Sequence, residues 1–164
     1  MDFSKKRKSG IISKCISFLI GHGISIAVSE SVTGGLLASS ITSFPGSSAV
    51  FSESYVVYSD NAKKKVLHLE EALLEKHGVY SLECVKRMAE NTKNLSGADI
   101  TIATSGIAGP DGGTERDPVG TVYFDIFYKT IHHAKRISLT GNRDSIREKT
   151  VIAVLGELSS VLGI

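Results

Sequence analysis

Three segments of this 164-residue chain hold side chains able to do chemistry together. They are Ser31 with Thr33-Gly34-Gly35 behind it, Tyr58 with Lys63 just downstream, and the glycine-rich run from Ser105 to Gly113. Ser31 stands before a predicted helix, so its hydroxyl would lie beside the unpaired N–H groups and the positive dipole end of a first turn. That setting suits an anion or the oxyanion of acyl transfer. The plain alternative is a serine that only caps the helix. The paired glycines favour a ligand modestly, because glycine lets one approach the backbone closely. Lys63 opens a run of three lysines, which ordinarily marks a solvated helix face. With Asp60 as N-cap, however, Lys63 falls in the first turn, where the dipole and the neighbouring lysines disfavour an ammonium. A neutral amine there is what a general base needs. Tyr58 is either a core residue or a phenol able to relay a proton or donate to an oxyanion. The Ser105–Gly113 loop is neither a Walker A sequence nor a dinucleotide fingerprint; a backbone nest for phosphate or carboxylate and a tight structural turn both fit it. Arg143 and Arg147 lie four apart at the start of the last predicted helix. A cation there is unfavourable unless it meets a carboxylate or a ligand anion, which makes Arg143 a candidate anion holder and Arg147 a surface ion-pair former.

The elements that must position these groups follow from periodicity. Ile12, Cys15, Ile16 and Leu19 give a helix over 11–20, and Ile24 to Val28 a short buried strand. A helix over 36–41, a strand over 50–58, a helix from Asp60 through Lys63 and Val66, and another over 69–76 come next. A longer helix spans 81–95, and a third strand runs through Ile100 and Ile102 into the glycine-rich loop. Val122, Phe124, Ile126 and Tyr128 alternate, and 131–139 alternates weakly after Lys129-Thr130, which predicts an antiparallel hairpin. Val151, Val154, Leu155, Leu158 and Leu162 share one face of a final helix. Alternating strands and helices predict an α/β domain with a mixed, mostly parallel sheet and helices on both faces. In such sheets ligands gather at the carboxyl ends of the strands, where all three segments fall.

Composition narrows the function classes. Hydrophobic residues make up 41% and charged ones 22%, which excludes a disordered chain, a collagen-like repeat and a disulfide scaffold. A net charge of +2 is too small to announce nucleic acid. The basic cluster Lys5 to Lys8 reads as part of a flexible tail over residues 1–9 of a single domain spanning 1–164. No apolar run approaches the roughly 20 residues needed to cross a bilayer, and Ser13, Lys14 and Ser17 make 11–20 too polar for a signal segment. A cytoplasmic protein is expected, with no membrane or nucleic-acid partner. Cys15 and Cys84 are isolated and the histidines scattered, so neither a metal nor another cofactor is expected. A homodimer is left open.

The ordered strings Glu30-Ser31-Val32-Thr33-Gly34-Gly35, Pro45-Gly46-Ser47-Ser48, Tyr58-Ser59-Asp60-Asn61-Ala62-Lys63, Ser105 to Gly113, Pro118-Val119-Gly120-Thr121-Val122 and Gly141-Asn142-Arg143 resemble the CinA C-terminal domain family. The likeness runs from about the first strand to the last helix. Members of that family include bacterial nicotinamide-nucleotide amidases. The resemblance implies a three-layer α/β/α sandwich that hydrolyses the carboxamide of nicotinamide mononucleotide, giving nicotinate mononucleotide and ammonia, without a cofactor. It implies Ser31 as nucleophile, Lys63 as general base and Tyr58 as a neighbouring catalytic hydroxyl. Thr33, Gly34, Gly35, Ser105, Gly106 and Arg143 match positions that line the site. Val32 replaces a frequent Cys, and Ser105 stands where Thr is usual, keeping the hydroxyl but losing the methyl that limits its rotamers. Full-length members carry a further N-terminal domain for which this chain has no room, so its pyrophosphatase activity is expected to be absent. A ligand-binding or adaptor protein of the competence and damage-response type is the rival expectation, since a fold can outlive its chemistry.

Overall fold

The computed structural model describes residues 3–164. Helix α1 (Phe3–His22) is followed by β1 (Ile26–Glu30), α2 (Leu36–Thr42), β2 (Phe51–Val56), α3 (Asp60–Leu67), α4 (Glu71–His77) and α5 (Leu82–Ser96). Then come β3 (Ile100–Gly106), β4 (Thr121–Tyr128), β5 (Ile131–His132), β6 (Lys135–Ser138) and α6 (Arg143–Val161). Helix α1 begins well before the predicted start, so the stretch expected as a flexible basic tail is helical from Phe3 on; Met1 and Asp2 lie outside the described residues. Apolar periodicity did not reveal this segment because its residues are mostly Lys, Arg and Ser, while Lys and Arg are good helix formers in their own right. The cap of α3 also differs by one residue. Ser59, not Asp60, is the N-cap, its hydroxyl accepting from Ala62 N at 3.1 Å.

The sheet order is β2-β1-β3-β4, with β5 and β6 following each other along the outer edge of β4. β1 is parallel to both β2 and β3, and every pairing made by β4 is antiparallel. The predicted hairpin turns on Lys129 and Thr130, both in the left-handed region with φ of 48° and 65°. That is the twist a two-residue turn requires. Phe127 pairs with His132 and Phe124 with Lys135, so β5 and β6 continue one strand in one register.

Side-chain alternation builds two cores on the two faces. Ile26 and Val28 of β1, Ile100 and Ile102 of β3 and Phe124 and Ile126 of β4 pack against α1, α2 and α6. Ala103 and Tyr123 point the other way, onto Val85, Met88 and Ala89 of α5. The period of two thus divides each central strand between two helical layers. The arrangement is the expected three-layer α/β/α sandwich on a mixed sheet, but the sheet is not mostly parallel, because β4 pairs antiparallel with β3, β5 and β6; β1 is buried at every position because both its faces are covered. Thr101 makes the burial of a hydroxyl tolerable by donating to Ala89 O at 2.8 Å.

Candidate active site

Parallel pairing brings the carboxyl ends of β1, β2 and β3 to one edge of the sheet. Ser31 is the first residue beyond β1. Its N–H donates to Thr104 O at 3.0 Å, extending the β1–β3 ladder, and its carbonyl accepts from Gly34 N at 3.1 Å. The serine is therefore fixed between a strand end and a tight turn. Only 6% of it is exposed, and it opens into a cleft of about 200 Å³ shared with Tyr58, Tyr80, Gly106, Asp111 and Arg143.

The helix start behind Ser31 is not open to an anion. Glu30, fully buried, turns its carboxylate onto α2: Oε2 accepts from Gly35 N and Leu37 N at 3.0 Å each, and Oε1 from Ala38 N at 2.8 Å. Gly34 N is committed to Ser31 O, and Leu36 N to Thr33 O. The expectation that Gly34 and Gly35 would present free donors is corrected: the protein's own carboxylate holds the turn. A glutamate closing a buried strand costs heavily unless it is hydrogen-bonded, a signal the sequence contained. Thr33 is buried, its hydroxyl bonded to Thr104 Oγ1 at 2.8 Å. Thr33, Gly34 and Gly35 form the turn that carries Ser31 and are not among the residues lining the cleft. Arg147 is more than a surface ion pair. Besides facing Asp144 at 3.7 Å, it donates from Nη2 to Thr33 O at 2.8 Å, so α6 clamps this turn.

Arg143 reaches the cleft from the first position of α6, whose start is capped by Asn142 accepting from Ser145 N at 3.0 Å. Nη1 donates to Gly109 O at 2.8 Å and Nη2 to the phenol of Tyr58. Tyr58 is 57% exposed and no core residue, so one guanidinium ties the exit of β2 to the glycine-rich loop. Gly106 lines the cleft at φ +153°, where a Cβ would fall 2.6 Å from Thr121 O. No other residue type fits there without moving β4.

Lys63 is 2% exposed and stands 3.5 Å from Asp60 Oδ1. On α5, burial pushes the Cys84 thiol up to about 11, and Lys63 pulls it the other way. Lys63 is thus no member of a solvated run, and it is not among the residues lining the cleft. Ser105 is likewise buried outside the cleft lining, its Oγ donating to Val79 O at 2.7 Å. Tyr80 and Asp111 line the cleft without having stood out in the sequence. A tyrosine beside a helix cap looks like core, and an aspartate among glycines looks like a turn former.

A larger cavity of about 530 Å³ lies between α1 and α2, lined by serine hydroxyls and apolar groups. Among the described residues no titratable side chain lines it, whereas the smaller cleft brings Ser31, Tyr58, Asp111 and Arg143 together at the strand ends and is the candidate site. Among the described residues no group of three or more His, Cys, Asp or Glu gathers to hold a metal. Nor is any described helix long and apolar enough to cross a membrane.

Residues 8–162 match the family model of the CinA C-terminal domain. A CinA-like protein of Thermotoga maritima is 47% identical over 137 residues, covering 84% of this chain and 33% of its own length. A putative competence-damage inducible protein of Clostridium novyi is 44% identical over the same length, with the same coverage. The chain therefore spans about a third of the curated relatives it matches. The crystal structure of the competence damage-inducible protein A from Klebsiella pneumoniae superposes with a TM-score of 0.92 at 33% identity, covering 95% of this chain and 97% of that one.

Proposed function

The chain belongs to the CinA C-terminal domain family, and from that premise we propose that it is an amidohydrolase that releases ammonia from nicotinamide mononucleotide. The observation that carries the reading is Ser31, held rigid at the carboxyl end of β1 and opening into a cleft that also contains Tyr58 and Arg143. Ser31 Oγ attacks the carboxamide carbon while Lys63 takes the hydroxyl proton. The carbon–nitrogen bond breaks, the proton passes to the leaving nitrogen, and ammonia departs; water then hydrolyses the acyl ester. Lys63 is assigned the base because it is buried, with Asp60 at 3.5 Å as its one polar side-chain contact among the described residues. Arg143 uses one N–H on Gly109 and one on Tyr58, so three of its five donors remain for the 5′-phosphate.

A non-catalytic ligand-binding protein, in keeping with the competence-damage description of the relatives, is the second reading. The observation on its side is that Lys63 faces Asp60 and does not line the cleft. Ammonia release from nicotinamide mononucleotide by purified protein separates the two. Ser31→Ala is expected to abolish release while melting at the wild-type temperature. Binding of the nucleotide by the wild type without ammonia release would favour the second reading.

A further inference from the structure

We propose that Tyr80 determines specificity in this cleft: with Tyr58 it forms an aromatic wall for the cationic pyridinium ring of an N-ribosylated nicotinamide, and Ser105 positions it there through Val79. The inference rests on the amidase reading and goes beyond it by assigning the ring subsite.

Tyr80 sits in the short connection between α4 and α5, which is fastened on both sides. Ser105 at the end of β3 donates to Val79 O at 2.7 Å, Ser81 Oγ donates to Gly78 O at 2.9 Å, and Ser81 caps α5 by accepting from Cys84 N at 3.1 Å. Tyr58 enters the same cleft from the exit of β2 and is held by Arg143. The two rings thus come from separate elements, each anchored by a hydrogen bond to a third. Burial, the Asp60 carboxylate and the Tyr58 phenol all push the Tyr80 phenol above its ordinary value, so the ring stays neutral.

Neutral aromatic faces attract a desolvated cation through their quadrupole. A nicotinamide bearing ribose on its ring nitrogen carries a positive charge; free nicotinamide does not. The Asp111 carboxylate in the cleft has the matching sign, while Arg143 suits the phosphate end. At about 200 Å³ the cleft is smaller than the roughly 300–1,000 Å³ of sites that enclose a drug-sized ligand. It therefore seats the ring and its carboxamide beside Ser31 and leaves the ribose phosphate at the mouth.

Titration calorimetry of the full chain in the Ser31→Ala background, where the amide is not consumed, with nicotinamide mononucleotide, 1-methylnicotinamide, nicotinamide and ribose 5-phosphate tests this. The protein with Tyr80 intact is expected to bind 1-methylnicotinamide more tightly than nicotinamide. Tyr80→Leu should weaken nicotinamide mononucleotide by about tenfold to thirtyfold and leave ribose 5-phosphate unaltered, whereas Tyr80→Phe keeps the affinity. Ser105→Ala should lose part of it, and the double variant with Tyr80→Leu should bind no more weakly than Tyr80→Leu alone. Equal binding of the charged and neutral amides overturns the proposal. So does a Tyr80→Leu protein that binds the nucleotide like its parent with Tyr80 intact, or that loses ribose 5-phosphate to the same degree. A wild type that binds the nucleotide through Tyr80 yet releases no ammonia would instead sink the amidase reading and leave the ring subsite standing.

Discussion

The carboxylate of Glu30 accepts from the backbone N–H of Ala38 at 2.8 Å, across the turn that holds Ser31. The residue before Ser31 thus fixes the start of α2, and the geometry of the serine depends on a buried charge that never touches the cleft. Glu30→Gln keeps the size but replaces one accepting oxygen by an NH2 facing backbone donors. We expect a loss of about 2–3 kcal/mol, seen as a fall in Tm of roughly 4–12 °C, with ammonia release reduced alongside. An unaltered melting temperature would show that these donors do not need the carboxylate.

Lys63 separates proton abstraction from mere positive charge. Lys63→Arg retains the charge but cannot deprotonate in the working range, and it must fit a bulkier group into a buried position. It is expected to be as inactive as Lys63→Ala, a loss of at least about a hundredfold in kcat, the low end for a general base. Lys64 pairs with Glu71 at 2.9 Å at the surface, so Lys64→Ala should keep most activity. Substantial turnover by Lys63→Arg would show that this position supplies positive charge and not proton abstraction, and would end the Ser-Lys mechanism.

Arg143 spans two partners at once, Gly109 O and the Tyr58 phenol. An ammonium has no planar fork with which to do this, so Arg143→Lys should raise KM for nicotinamide mononucleotide by about tenfold or more. A comparable rise for a phosphate-free amide would show that the loss is of loop geometry and not of phosphate recognition. Steady-state kinetics with both substrates reads the difference.

Asp125 is fully buried under α5, with His132 Nδ1 at 2.5 Å from Oδ2 and no partner for Oδ1 among the described residues. Burial holds its carboxyl above the ordinary 3.8, while the hydrogen bond and charge of His132 pull it down. A carboxyl so raised binds its proton more tightly in the folded chain, and contributes stability that is present below its unfolded value and lost as pH rises through the folded one. The Tm of Asp125→Asn minus that of wild type should therefore be more positive at pH 7 than at pH 4. A difference independent of pH would mean that Asp125 titrates alike in both states.

Periodicity alone located the central helices and strands, because a buried face repeats every 3.6 or 2 residues whatever it packs against. The same local reading placed Ser31, Tyr58, Gly106 and Arg143 at strand ends or a helix start, and all four meet in one cleft. Where local rules compete, the chain alone did not decide. The start of α1 and the cap of α3 depend on propensity and hydroxyl geometry, which no apolar pattern records. The free donors expected at Gly34 and Gly35 vanish because Glu30 folds back on them, and the hydroxyls of Thr33 and Ser105 are spent on Thr104 and Val79. Tyr80, far from Ser31 in sequence, enters the site from the connection between α4 and α5, which Ser105 of β3 holds through Val79 O. A sequence specifies which groups are able to bond and where each element turns; which partner a buried polar group finds is set by whatever the fold brings within 3 Å or so, since once water is excluded that group must take the neighbour available.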